Sequence, residues 1–194
     1  MPESGRRDEI LARSAQLFAE RGVAATTVRE IADAVGILSG SLYHHFPSKE
    51  AIVEGVVRGY LDDLLAGYRE VLDAGLPPRA TVERLILVSV EAAVAHAYAP
   101  EVYQNEMGYL RALPGLAEVT TAGHEVQRIW HDVLTAGVRA GEFRADPPVR
   151  VVYRFLRDAL FLSSRWHRRE EGYSAEQLAA DCATLFLDGY STGR

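Results

Sequence analysis

The sequence predicts an all-α chain of about nine helices, and three observations carry that expectation. Apolar residues recur every three or four positions through most of the chain, which is the helical period. Glycine and proline interrupt these stretches at Gly22, Gly36, Pro47, Gly75, Pro77, Pro100, Pro114, Gly141 and Pro147, where helices stop. No segment alternates apolar and polar residues with the strand period of two.

The first helix is expected over residues 7–21, with Ile10, Leu11, Ser14, Leu17 and Phe18 on one face and Gly22 as its stop. A second follows at Val28, Ile31, Ala32 and Val35, spaced i, i+3, i+4 and i+7. Thr27 precedes it and Glu30 lies three residues on, the spacing of a reciprocal capping box. Gly36 ends it, since a left-handed residue costs glycine little. Ser39 is expected to start and cap a third helix whose inner face is Leu42 and Phe46. Ala32 and Gly40 are small where two steeply crossing helices would touch. Ser39, Gly40, Tyr43 and His44 are left on the outer face. Two short helices joined this tightly make the helix-turn-helix pattern, whose second helix lies in the DNA major groove.

Pro47 closes that unit, because a residue before proline is biased away from the helical region. Ser48 caps a long helix from Lys49 to about Ala74, with apolar residues from Ile52 to Leu72 at helical spacing. Further helices are expected at about 79–98, 101–112, 116–140, 149–169 and 174–191. The expected division is a DNA-binding domain, 1–47, and a helical ligand-binding and dimerisation domain, 48–194.

Gly36, Ile37, Gly40, Ser41, Leu42, Tyr43, His45 and Phe46 stand in an order that resembles the TetR family signature. Phe18, Arg21, Gly22, Thr26 and Thr27 before it, and Lys49 and Glu50 after it, extend the match over the first quarter of the chain. Leu38 departs from the pattern, because the family commonly has Ser or Thr there. The stretches GILSGSLYHHF, VYRFLRDALF and SSRWHR further resemble the Kst-type branch, repressors of sterol-ring catabolism that answer to coenzyme A thioesters. The resemblance implies a transcriptional repressor that binds an operator in double-stranded DNA as a homodimer and is released by a small effector. It places Tyr43 and Lys49 on phosphates and the start of the third helix in the groove. Thr27 and Arg29 are expected to hold the DNA backbone, which completes a candidate set of Thr27, Arg29, Ser39, Gly40, Ser41, Tyr43, His44 and Lys49.

For the effector the leading candidate is Arg157, a guanidinium interrupting an otherwise apolar run. Arg154 and Asp158, four apart, are expected to pair and leave Arg157 free. Two readings of Arg157 stand side by side: it meets an anionic ligand, or a glutamate across a subunit interface. The resemblance implies that Arg157 and the aromatic one turn on recognise the thioester; that aromatic is Phe161, where tryptophan is expected. Tyr98, Tyr103, Met107, Trp130 and Tyr153 either line an apolar pocket or are plain core. Phe155, Leu162, Trp166, Leu178, Leu185, Phe186 and Tyr190 on the last two helices exceed what one chain's core needs. They predict a four-helix dimer interface. A hydrophobic drug-like effector is the alternative to a coenzyme A thioester, and an activator the alternative to a repressor.

Composition bounds the remaining classes. Hydrophobic residues at 48% and charged residues at 25% fit an ordinary globular protein. The net charge of −6 does not exclude DNA, since phosphate attraction is local, and Arg6, Arg7, Arg13, Arg29 and Lys49 flank the proposed reading surface. Glu3, Asp8, Glu9, Glu30 and Asp33 share it, so affinity is expected to depend on dimerisation. A single cysteine, Cys182, fits a reducing compartment, and neither an eighteen-residue apolar run nor an apolar N-terminal core is present. A cytoplasmic protein without membrane attachment is expected. No P-loop, dinucleotide glycine fingerprint, GxSxG or HExxH occurs, so no catalytic residue, cofactor or metal is expected. Adjacent His44 and His45 diverge by about 100° on a helix. His124 and His131 share a face without a metalloprotease spacing.

Overall fold

The structure, a computed structural model, describes residues 3–106, 108, 117–167 and 172–188, without the side chains of Glu3, Ser4, Leu162, Ser164 and Trp166. Of the expected site residues, Met107 and Tyr190 lie outside the described residues, as do the side chains of Leu162 and Trp166. The described residues form nine α-helices and no strand. They are α1 (Glu3–Arg21), α2 (Val28–Val35), α3 (Ser39–His45), α4 (Lys49–Asp73), α5 (Pro78–Ala95), α6 (Ala99–Asn105), α7 (Ala117–Arg139), α8 (Val149–His167) and α9 (Ala175–Ala183). A π-helical turn, Thr184–Asp188, continues α9. There the Thr184 hydroxyl donates to the Ala180 carbonyl at 3.0 Å, a back-bond of the kind that bends helices.

Three further boundaries depart from expectation: α1 starts at Glu3, four residues before the expected start, and the junction of α5 and α6 differs on both sides. α5 stops at Ala95 because Tyr98 sits at φ +73°, outside the range a right-handed helix can continue. α6 then starts at Ala99, with Pro100 in its first turn, where a missing N–H does no harm.

The chain divides into two compact units. The first combines Met1–Leu61 with His96–Thr120, and the second combines Asp62–Ala95 with Thr121–Arg194. In the first, Ile10, Phe18, Val23, Ile31, Leu42 and Phe46 are buried, so α1, α2 and α3 share one small core. Gly22, at φ +84°, turns the chain out of α1. The loop after it is held from two sides. Lys49 Nζ donates to the carbonyls of Val23 (2.8 Å) and Thr26 (3.0 Å), and the Val23 N–H donates to Glu106 Oε1 at 3.1 Å. Ser48 Oγ accepts from the Ala51 N–H at 3.2 Å, so the expected cap of α4 is present. The inner face of α4 is buried from Ile52 through Val71, while Leu72, next to its end, is 41% exposed.

In the second unit α5 packs on α8 and α9. A buried chain of hydrogen bonds crosses its core. Trp130 Nε1 donates to the Tyr68 hydroxyl at 2.9 Å, and Tyr68 and Ser89 hydroxyls lie 2.6 Å apart. Ser89 donates its only proton to the Leu85 carbonyl at 2.6 Å, so Tyr68 is the donor to Ser89. The side-chain polar atoms of Trp130, Tyr68 and Ser89 are thereby all satisfied, and burial keeps the Tyr68 phenol neutral by pushing its pKa well above the usual value.

Gly137 lets the Phe143 ring lie directly on α7, where an added Cβ would overlap that ring. Gly137→Ala improves helix propensity by about 1 kcal/mol but forces the buried ring aside at about 1–3 kcal/mol. The net loss is about 0–2 kcal/mol, so the expected outcome in thermal unfolding is a Tm lower by up to roughly 8 °C and not raised.

Candidate functional site

The reading surface is built from the turn outward. Thr27 Oγ accepts the Glu30 N–H at 3.2 Å, while the Glu30 carboxylate accepts the Thr27 N–H and hydroxyl, each at 2.8 Å. This is the expected capping box, and Arg21 adds a contact to Glu30 at 3.1 Å. Gly36 closes α2 at φ +71°, and Ile31, Ala32 and Val35 face the core. The next cap differs from expectation. Leu38 rather than Ser39 is the N-cap of α3, no side chain caps the helix, and Ser39 is its first helical residue. An N-cap needs a side-chain acceptor just before the first helical residue, and leucine occupies that place.

Gly40 also differs. A Cβ built on it meets no atom within 4 Å, so it is exposed and is not the contact point of the two helices. Ser41, Tyr43 and His44 are exposed as well, Tyr43 by 52%, while Leu42 and Phe46 are buried beneath them. Ser39 is half-buried. α3 therefore presents one continuous polar face, as its sequence pattern requires.

Its electrostatics are closely balanced. Arg6 pairs with Glu9 at 2.8 Å, and Arg29 lies 3.9 Å from Asp33 with 87% of its side chain exposed. So loose and wet a pair is worth well under ~1 kcal/mol, and a phosphate can replace its acidic partner. Lys49 is less available than expected. Two of its three N–H donors already serve the α1–α2 loop, which leaves one for a phosphate. The Arg7 guanidinium, 4.7 Å from the Phe46 ring centroid, has no carboxylate partner among the described residues. Sequence reading placed Arg7 near this surface without the ring that orients it, because residues 39 apart carry no pairing signal.

The candidate effector residues fall in different environments. In the first unit Tyr98 and Tyr103 are half-buried, Tyr98 as the left-handed N-cap of α6. In the second unit Trp130 and Tyr153 are buried, with ring centroids 6.4 Å apart. The Trp130 N–H is committed to Tyr68, so Trp130 belongs to the core and offers no free donor. His131 stacks edge-on against Tyr153 at 5.6 Å. The expected Arg154–Asp158 pair does not form. Asp158 Oδ1 instead accepts Arg157 Nε at 2.9 Å and Arg157 Nη2 at 2.7 Å. A planar guanidinium with two donors aimed at one oxygen outcompetes the single i,i+4 contact. Arg157 also lies 6.0 Å from the Tyr153 ring centroid, and Phe161 is half-buried on the same helix.

Of the proposed interface residues, Phe155 is 66% and Leu185 77% exposed, and Phe186 is half-buried. Leu178 is a correction. It is 4% exposed on α9, the helix that packs most heavily on α5, so it serves the chain's own core. Among the described residues no group of three His, Cys, Asp or Glu side chains is placed to hold a metal ion, and no single helix is long and apolar enough to cross a membrane.

A capped helix, a glycine turn and a second helix with a polar outer face define a DNA-binding regulator of the helix-turn-helix class. Comparison with known proteins narrows the class. The profile of bacterial regulatory proteins of the tetR family matches residues 10–56, and that of the tetracyclin repressor-like C-terminal domain matches residues 75–190. The chain belongs to the TetR family and is a regulator, not an enzyme. It is 46% identical to the transcriptional repressor KstR2 of Rhodococcus jostii over 98% of this chain and 93% of that one. It is 45% identical to KstR2 of Mycolicibacterium smegmatis over 96% and 91%. The solved structure of the ketosteroid transcriptional regulator KstR2 of Mycobacterium tuberculosis superposes with a TM-score of 0.89 at 41% identity, covering 97% of this chain and 96% of that one.

Glu30 supplies a pH test of the head. Its carboxyl is held below the ordinary value of 4.5, first by the Thr27 backbone N–H and then by the Thr27 hydroxyl and Arg21. A depressed folded-state pKa stabilises the fold fully above the unfolded value, and the effect fades as pH falls through the lowered one. Glu30→Gln should therefore be less stable than wild type at neutral pH, with the two melting curves converging below pH 4.5.

Proposed function

We propose that the chain is a transcriptional repressor that binds a palindromic operator as a homodimer and leaves it when a small effector binds. Residues 1–47 read the DNA, and residues 48–194 carry the effector site and the dimer interface. The observation that carries this reading is an exposed polar α3 on a chain alike, over nearly its full length, to repressors named KstR2. Two heads on a two-fold axis require half-sites about one helical turn, roughly 34–36 Å, apart. Phe155 and Leu185 are apolar groups on the last two helices that one chain leaves wet, and a second copy would cover them. Phe155→Asp combined with Leu185→Glu should convert the dimer to monomer in sedimentation and abolish operator retardation, with helix content unchanged.

The effector we infer is a coenzyme A thioester of a sterol- or fatty-acid-derived acid. Support comes from the ketosteroid regulator among the relatives and from the cation Arg157 beside Tyr153 on α8. A competing reading, a hydrophobic drug-like effector, gains from Asp158, which already neutralises Arg157. Thermal shift separates them. Stabilisation by acyl thioesters but not by the matching free acids supports the first reading, and stabilisation by the free acids alone rejects it. Arg157→Met gives up an exposed ion pair worth about 1 kcal/mol or less. It should bind operator as wild type does and lose release by the thioester, read as retardation that persists when thioester is added. Each tenfold drop in operator affinity on release needs about 1.4 kcal/mol of differential effector binding.

A further inference from the structure

We propose that Leu38 is a base-reading side chain that packs on the C5-methyl group of a thymine in each operator half-site. The inference rests on the operator-binding reading above and adds a specificity determinant to it. Leu38 is 79% exposed although Leu42, four residues on, is fully buried. The difference arises because its backbone is extended, at φ −72° and ψ 144°, and not helical. A single exposed leucine is ordinary on a protein surface. Its place is what distinguishes this one. It stands in the turn that leads into the groove-reading helix, beside Ser39, Gly40 and Ser41, on the part of the motif that meets base edges.

The side chain has no task in the fold. The turn around it is organised by backbone groups: the Leu38 carbonyl accepts the N–H groups of Ser41 (2.9 Å) and Leu42 (3.2 Å), and the Ile37 N–H donates to the Ala32 carbonyl at 3.0 Å. A serine or threonine at this position would cap α3, and leucine forgoes that bond. Gly40 leaves the surface beside Leu38 open, with no atom within 4 Å of a Cβ built there.

The chemistry selects the partner. In the major groove guanine shows two acceptors and cytosine and adenine show donors, and each loses a hydrogen bond to water when an isobutyl group covers it. Thymine alone presents an apolar group, its C5-methyl. Leu38 therefore favours thymine and disfavours a G·C pair at the same position.

The test uses a duplex selected by the wild-type protein from a random-sequence library, with thymines replaced by deoxyuridine in symmetric pairs so that only methyl groups are lost. Burial of one methyl per half-site predicts that wild type binds about fifteenfold more weakly at one such pair, about fourfold for each half-site. Leu38→Ala should bind the thymine and uracil duplexes equally. Leu38→Ser should do the same while melting at or above the wild-type temperature, because it regains a cap. The proposal is overturned if wild type tolerates every replacement, or if Leu38→Ala keeps the full discrimination. A protein that selects no duplex at all overturns the operator reading, and this inference with it.

Discussion

A single ammonium group organises the helix-turn-helix region of this protein. Lys49 opens α4 and ties two carbonyls of the loop between α1 and α2, Val23 and Thr26, to the start of the longest helix among the described residues. That loop delivers Thr27 to its capping position, Thr27 and Glu30 fix the start of α2, and α2 with Gly36 sets where α3 emerges. The start of α2, and with it the placing of α3, is thus tied through side-chain bonds to the loop that Lys49 holds. Glu106 takes the Val23 N–H from the other side, so the same loop is also bonded to the end of α6.

The second unit is held differently. Its centre is the chain from Trp130 through Tyr68 and Ser89 to the Leu85 carbonyl, a set of buried hydrogen bonds with one direction and no spare donor. Such a set joins α7, α4 and α5 in one register, because any slip would strand a buried polar group at roughly 1–3 kcal/mol. α4 supplies Lys49 to one unit and Tyr68 to the other, so the same helix is anchored by polar contacts at both ends.

Charge tempers what the reading surface can do. Three of its cations are already answered: Arg6 by Glu9, Arg21 by Glu30, Lys49 by backbone carbonyls. Arg29, Arg7 and Arg13 are held less tightly, the first loosely paired, the second lying over Phe46 and the third bonded at 3.5 Å to the neutral Gln16. So sparing a positive charge gives only weak nonspecific attraction to phosphate.

Much of the local chemistry was legible in the residues alone, though not the start of α3, where Leu38 and not Ser39 is the N-cap. The capping box at Thr27 and Glu30, the left-handed Gly36, the Ser48 cap and the apolar face of α4 each depend on neighbours within one or two helical turns, and each is present. The face of α3 was legible for the same reason, since burial of Leu42 and Phe46 leaves Tyr43 and His44 outside. Contacts between distant residues were not. Only the folded chain decided that Lys49 serves a loop, that Trp130 gives its N–H to Tyr68 and that Leu178 belongs to the chain's own core; the choice of Asp158 for Arg157 over Arg154, though local, also depended on side-chain geometry. Periodicity states which face of a helix is apolar, but the partner that face or a polar group meets is set by tertiary packing, where geometry chooses among several chemically equivalent candidates.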